Sequence, residues 1–97
     1  MMKITQEMNG ETMIVSISGR LDTTTAPELE TFLNDNLSAT SKLIFDCKDF
    51  EYISSAGLRV LLSAQKKLKG AMKLINVGEL IMEVFEMTGF SDILTIE

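Results

Sequence analysis

The stretch from residue 42 to residue 77 constrains the fold most, because it contains a strand, a helix and a second strand in close succession. Leu43-Ile44-Phe45 is a short apolar run typical of a buried strand, and Met72 to Val77 is a further strand. Between them, leucines recur at helical spacing from Ser55 to Lys69, and Gly70 suits the end of that helix. Two strands joined by a helix pair in parallel through a right-handed crossover. The stretch therefore predicts the centre of an α/β sheet.

The segments on either side add further strands and helices to this pattern. Lys3 to Met8 and Glu11 to Ser18 alternate as strands do, and Asn9-Gly10 between them is a strong hairpin signal. Thr25 and Glu28 have the spacing of a capping box and predict the start of a helix. The other predicted elements are a helix burying Leu29, Phe32, Leu33 and Leu37, a polar link from Ser38 to Ser41, a helix from Glu79 to Thr88 burying Leu80, Val84 and Phe85, and a closing strand from Ile93 to Ile96.

The resulting element order is β-β-α-β-α-β-α-β. We expect one α/β domain over residues 1–97, with a singly wound, mostly parallel five-stranded sheet. If every crossover steps the same way, the strand order is 1-2-3-4-5, strand 1 lies antiparallel at the edge, and the helices lie mainly on one face.

Composition narrows the class of function. The net charge of −5, without an extended basic cluster, argues against nucleic acid as a partner. The chain has no histidine, which removes Ser-His-Asp and Cys-His catalysis and nearly all zinc chemistry. It also lacks the glycine patterns of Walker and dinucleotide-binding loops. We therefore expect a protein that is not an enzyme and holds no cofactor or metal.

The same sequence predicts the cellular setting. Cys47 is alone, so no internal disulfide can form, and its apolar neighbours favour burial as a small hydrophobic residue. Met1 to Glu7 lacks the apolar segment of a signal peptide, and no apolar run approaches membrane-spanning length. We expect a cytoplasmic protein that does not bind membranes and is a monomer or a weak dimer.

Polar residues follow the predicted parallel strands, at the edge of the sheet where the functional residues of α/β proteins usually lie. They are Asp22 after strand 2, then Asp46, Asp49, Ser54 and Ser55 after strand 3, and Asn76 and Gly78 after strand 4. The two serines begin the central helix, where serine is a favoured N-cap and the free backbone N–H groups also suit a phosphate. Gly57 lies just inside this helix and costs roughly 1 kcal/mol relative to alanine. Close approach of a partner's backbone or tight contact with the protein's own strand would each explain that glycine.

The string from Asp49 to Arg59, Asp-Phe-Glu-Tyr-Ile-Ser-Ser-Ala-Gly-Leu-Arg, resembles the signature of the STAS family. Free-standing members of this family are anti-sigma factor antagonists, and their signature places a phosphorylatable serine or threonine before a small residue and Gly-Leu. Matched residue by residue, Ser55 falls on the phosphorylated serine and Ser54 on the preceding position. Gly-Arg-Leu-Asp-Thr at residues 19–23 is a second match, and the family's aspartate there lies beside the phosphorylation site. Asp22 is also a good turn residue, so both roles stay open.

The resemblance implies a β/α superhelical fold and a phosphorylation switch. An unphosphorylated antagonist of this kind binds a serine-kinase anti-sigma factor, which uses ATP to phosphorylate Ser55 and so releases it; a serine phosphatase then resets it. The resemblance and the position of the loops together suggest a partner-binding set consisting of Asp22, Thr23, Asp46, Asp49, Ser54, Ala56, Gly57, Leu58 and Arg59. A phosphoserine adds roughly −1.5 to −2 charge, which would be repelled by Asp22 and Asp46 in an interface. Arg59, four residues after Ser55 on the same helix face, would compensate part of it.

Two alternatives from other classes stay open beside this expectation. The chain could be a non-phosphorylated STAS accessory subunit, for example of a lipid-transport system, that uses the same surface. It could also be a sensor of a small ligand or nucleotide, which would require a pocket.

Overall fold

The computed structural model describes residues 2–36 and 42–97. Its elements are β1 (Met2–Asn9), β2 (Thr12–Leu21), α1 (Ala26–Asn36), β3 (Lys42–Asp46), β4 (Phe50–Ile53), α2 (Ser55–Lys67), β5 (Met72–Ile75), α3 (Glu79–Thr88) and a 3-10 helix (Phe90–Asp92). The predicted burial of Leu37 and the predicted polar link from Ser38 to Ser41 lie outside the described residues. None of the helices in the described ranges is long and apolar enough to cross a membrane.

The sheet is mostly parallel, and the first four predicted strands have the predicted order. β1 pairs antiparallel with β2, β2 pairs in parallel with β3, and β3 pairs in parallel with β5. This path places the antiparallel strand β1 at one edge, as predicted. The α/β class, the mixed five-stranded sheet and the antiparallel edge strand are therefore confirmed.

The fifth strand differs from the prediction. The predicted closing strand from Ile93 to Ile96 is wrong, because the amides of Ile93 and Leu94 both donate to the carbonyl of Phe90 in a tight turn. The segment keeps one isolated parallel bridge to β5, between Ile96 and Leu74, through hydrogen bonds from the Leu74 amide to the Thr95 carbonyl and from the Glu97 amide to the Leu74 carbonyl.

The strand that completes the sheet is β4, which the sequence did not predict. It pairs in parallel with the last residues of β2, beyond the part of β2 that pairs with β3, after a register shift between Gly19 and Arg20. Phe50 and Ile53 of β4 are buried and the two residues between them are exposed. This spacing of three does not match the alternation that marks a strand, so the segment looks like a loop in sequence.

The core lies between one face of the sheet and the helices. Along β2, Met13, Val15 and Ile17 are buried and the alternate side chains are only partly covered. The buried side chains of all three α-helices join the same cluster as these strand residues, so the helices cover one face, as predicted. Cys47 belongs to this cluster and is 1% exposed, which confirms its predicted burial. Burial, together with the nearby Asp46 charge, raises the pKa of its thiol to about 12.

Several local expectations need correction. The hairpin turn is Gly10-Glu11 instead of Asn9-Gly10, because Asn9 pairs with Thr12 and only Gly10 of the turn takes a positive φ, +66°. Helix α3 has the predicted bounds, but Leu80 is 71% exposed while Ile81 and Phe85 are buried. Apolar residues occupy most of the circumference of α3, so their spacing did not determine which side faces inward.

Candidate functional site

The site is built where β2 and β4 end side by side. Leu21 and Ile53 are register partners, and the Ser54 amide donates to the Leu21 carbonyl at 2.9 Å. The chain leaves both strands at this point, so Asp22 and Ser54 emerge as neighbours. Helices α1 and α2 begin within a few residues of it. We call the two segments that meet here, residues 22–26 and 54–59, the serine edge.

The two serines have different surroundings. Ser54 is the N-cap of α2, with φ −99° and ψ 174°, and its Oγ accepts a hydrogen bond from the Gly57 amide at 3.4 Å. Ser55 is the first residue of the helix and is exposed. Its hydroxyl has no hydrogen-bond partner among the residues that the structure describes. Ser54 therefore serves the helix, and the hydroxyl of Ser55 is available for chemistry.

Asp22 organises the loop between β2 and α1. Its Oδ1 accepts hydrogen bonds from the Thr24 amide at 3.0 Å, the Thr25 amide at 3.1 Å and the Thr25 hydroxyl at 3.2 Å. The predicted capping box of Thr25 and Glu28 is replaced by this arrangement, since the Thr25 amide donates to Asp22. The hydrogen bond from the Thr25 amide is the main reason that the pKa of the Asp22 carboxyl lies below its ordinary value; desolvation opposes it, and the Thr24 amide, the Thr25 hydroxyl and the charge of Arg20 lower the pKa further. Asp22 is thus a turn former, and its backbone leaves β2 next to the point where Ser54 leaves β4.

Gly57 and Leu58 point into the core. A Cβ added to Gly57 would lie 2.7 Å from Leu21 Cγ and 2.9 Å from Ile53 Cγ1. Leu58 is 5% exposed. Of the two explanations for the glycine, contact with the protein's own strands accounts for it in the free molecule. These two residues seat α2 against β2 and β4, and they contribute little to the outer surface.

Some residues of the serine edge line a shallow groove between the starts of α1 and α2. Thr23, Ala56 and Arg59 lie along it together with Ala26, Pro27, Glu30 and Val60, around a volume of about 200 Å³. Three of the sequence-predicted partner-binding residues are thereby brought together, and one of them, Ala56, directly follows Ser55 in the chain. The groove is open and mixed in polarity, with a carboxylate and a guanidinium on its walls.

Asp46 and Asp49 lie elsewhere. They line a depression of about 240 Å³ on the helix-free face of the sheet, with Lys3, Thr5, Ser16, Ile17, Ser18 and Lys48. Asp46 Oδ1 accepts hydrogen bonds from the Lys48 amide and from Asn76 Nδ2, both at 3.1 Å. Strand β4 lies between Asp49 and Ser54, which are five residue steps, or roughly 17 Å of extended chain, apart. Asp22 thus lies at the same end of β2 and β4 as the serines, whereas Asp46 and Asp49 precede β4 and are separated from the serines by its length.

Arg20 and Tyr52 are the residues of this region that sequence reasoning missed. They are cross-strand partners of β2 and β4, and the guanidinium carbon lies 4.2 Å from the centroid of the tyrosine ring. Such a cation–π contact depends on the β2–β4 register, which no local signal in the sequence reveals. It fixes a positive charge close enough to Asp22 to lower the pKa of that carboxyl.

The described residues offer no ready metal site. Within residues 2–36 and 42–97, no three His, Cys, Asp or Glu side chains cluster in a way that could hold a metal ion.

Comparison with known proteins gives concordant matches over nearly the whole chain. The anti-sigma-B factor antagonist of Bacillus subtilis strain 168 is 32% identical over 93 residues, covering 93% of this chain and 85% of that protein. The crystal structure of an anti-sigma factor antagonist from Mycobacterium paratuberculosis superposes with a TM-score of 0.88 at 23% identity, covering 99% of this chain and 85% of that one.

The fold is also shared with the anti-sigma factor antagonist SpoIIAA. Its unphosphorylated form gives a TM-score of 0.76 at 18% identity, covering 98% of this chain and 87% of that one. The phosphorylated form, from Bacillus, gives 0.75 at 18% identity, covering 98% and 91%. A family model described as the STAS domain matches residues 3–97. This chain therefore belongs to the STAS domain family.

Proposed function

We propose that this protein is an anti-sigma factor antagonist that is switched by phosphorylation of Ser55. The observation that carries the proposal is the exposed, unpartnered hydroxyl of Ser55 at the first residue of α2, beside a serine whose hydroxyl already caps the helix. The 32% identity to the anti-sigma-B factor antagonist of Bacillus subtilis supports the assignment to this class.

The unphosphorylated protein would bind a serine-kinase anti-sigma factor through the serine edge and its groove. Thr23, Ala56 and Arg59 offer a hydroxyl, a small apolar contact and a guanidinium along this groove. A kinase bound there supplies its own base and Mg²⁺ and transfers the γ-phosphoryl group of ATP to Ser55 Oγ. The antagonist contributes an accessible hydroxyl and no acid–base chemistry, so we propose that it has no catalytic activity of its own.

Phosphate at Ser55 would act differently on the complex and on the isolated fold. It adds roughly −1.5 to −2 charge close to Asp22, a carboxylate at neutral pH. Inside an interface, two like charges repel and are costly to desolvate, which speeds dissociation. In the free protein, the positive end of α2 and Arg59 on the same helix face stabilise the phosphate. The complex therefore dissociates while the fold persists, until a cytoplasmic serine phosphatase removes the group.

The geometry also ranks the acidic residues. Asp22 adjoins Ser54 and contributes directly to the repulsion, whereas Asp46 and Asp49 lie beyond β4 and act at most from the margin of the interface. Gly57 and Leu58 support the surface from beneath it, because both are buried.

The test is a binding and phosphorylation assay with a serine-kinase anti-sigma factor from the source organism. The parent protein should bind without ATP, be released with ATP and Mg²⁺, and carry one phosphate on Ser55 by mass spectrometry. Ser55→Ala should bind equally well and stay bound when ATP is added. Ser54→Ala is the matched control: it loses a hydroxyl one residue away, and should still be phosphorylated and released.

Two results would contradict the proposal in distinguishable ways. Phosphate on Ser54, with Ser55→Ala still released by ATP, would move the switch by one residue. Stable binding to the anti-sigma factor with no phosphate on either serine would favour an accessory subunit that uses the same surface without modification.

A further inference from the structure

The outer edge of β1 is unpaired. Among the described residues β1 bonds only to β2, and it runs for eight residues without a proline. Because Asn9 and Thr12 flank a two-residue turn, they form a hydrogen-bonded pair, and such pairs alternate along the hairpin. The backbone groups of Ile4, Gln6 and Met8 therefore point away from β2. An edge of this length readily pairs with another strand unless something opposes it.

The side chains of β1 are self-complementary about Thr5. Lys3, Thr5 and Glu7 lie on the helix-free face, opposite Ser18, Ser16 and Ile14 of β2. A second β1 placed antiparallel with the two-fold axis at Thr5 would bring Lys3 of each copy opposite Glu7 of the other. On the other face, Met2 of each copy would lie opposite Met8, which is 49% exposed in the isolated chain.

We propose that this edge binds a second copy of the same chain, forming one continuous sheet through β1 in the register centred on Thr5. The backbone groups that point outward require even-numbered residues of the two copies to face each other, and this register does so by placing residue 4 opposite residue 6. Shifting the axis by one residue, to Ile4 or Gln6, places Lys3 opposite Thr5 or Asn9 and removes both ion pairs. Backbone hydrogen bonds provide the affinity, and the charges select the register. The proposal is independent of the function assigned to Ser55.

Charge reversal tests the partner and the surface together. In sedimentation equilibrium, the parent should dimerise as its concentration rises, while Lys3→Glu and Glu7→Lys should each dimerise at least about ten-fold more weakly, because both ion pairs become like-charge pairs. An equimolar mixture of the two variants should recover the dimer, since every introduced charge then faces its opposite. Glu11→Lys, in the turn outside the paired segment, makes the same charge change as Glu7→Lys and should behave like the parent.

Cross-linking tests the register. The two Thr5 residues would form a non-hydrogen-bonded pair with Cα atoms roughly 4.5 Å apart, within the range that a disulfide spans. Thr5→Cys should therefore oxidise to a covalent dimer, whereas Ile4→Cys and Gln6→Cys should not. Cys47 is buried and its thiol pKa is about 12, so it should not compete.

Three outcomes would overturn the proposal. A parent protein that stays monomeric at millimolar concentration has no such interface. Dimerisation unaffected by both charge reversals would place the interface on another surface. Efficient cross-linking of Gln6→Cys or Ile4→Cys, without cross-linking of Thr5→Cys, would mean that the strands pair in a different register.

Discussion

Replacing Gly57 by alanine should destabilise the protein even though alanine is the better helix former. The added methyl would lie 2.7 Å and 2.8 Å from Leu21 Cγ and Cδ2 and 2.9 Å from Ile53 Cγ1, all closer than such carbons normally approach. Forcing an extra methyl into a packed core costs about 1–3 kcal/mol. Three short contacts with buried side chains favour the upper end of that range. Alanine recovers roughly 1 kcal/mol of helix propensity, which leaves a net loss of about 2 kcal/mol.

Thermal and urea unfolding followed by circular dichroism measure this directly. For a chain of 97 residues, a loss of about 2 kcal/mol corresponds to a Tm lower by roughly 10 °C. On a Leu21→Val background, which removes one of the opposing carbons, the same Gly57→Ala change should cost less, because contacting residues are not additive. A Gly57→Ala variant that is as stable as the parent, or more stable, would show that the core has room for the methyl. The glycine would then need another explanation, such as the approach of a partner's backbone.

Two further predictions concern the serine edge. Ser54→Ala removes the helix cap and should lower the free energy of unfolding by about 0.5–1 kcal/mol, at the low end of the usual range because the 3.4 Å hydrogen bond is long. Ser55→Ala should change it by no more than about 0.5 kcal/mol in the same urea titration. Equal losses would mean that both hydroxyls stabilise the helix. Asp22 has a lowered pKa in the folded state, so its contribution to stability is complete above its ordinary value of 3.8 and disappears as the pH falls through the folded value. Thermal melts between pH 6 and pH 2 should therefore show a smaller loss of Tm for Asp22→Asn than for the parent, and parallel curves would contradict this.

Much of the fold follows from signals that are local in the sequence. The hairpin of β1 and β2, the strand at Leu43–Phe45 and the helix start at Ser54 each depend on residues close together in the chain, and the structure has them at or near the predicted places. The strand order followed from the repeated crossovers. The two adjacent serines marked the start of α2 because capping requires only a hydroxyl and the amides of the next turn.

The parts that sequence reasoning missed depend on distant contacts. Strand β4 exists because β2 is long enough to pair with β3 and then with Phe50 to Ile53, which no pattern within the four residues indicates. That strand moves Asp46 and Asp49 away from Ser55 and creates the contact between Arg20 and Tyr52. The exposure of Leu80 has the same origin, since the side of α3 that faces inward is selected by what packs against it.

The anchoring of the α2 start has a consequence for how fast the proposed switch responds and for what determines the fraction of protein in each state. The Ser54 amide is bonded to Leu21, and Gly57 lies close to Leu21 and Ile53, so the backbone on either side of Ser55 is anchored to β2 and β4. Modification there would alter the surface potential without a rearrangement on the microsecond-to-millisecond scale typical of domain or lid motions. The isolated protein would then have no slow conformational change that outlasts phosphorylation or dephosphorylation. The fraction in each state would follow the ratio of kinase to phosphatase rates, and added salt would weaken the discrimination between the two states by screening the charge.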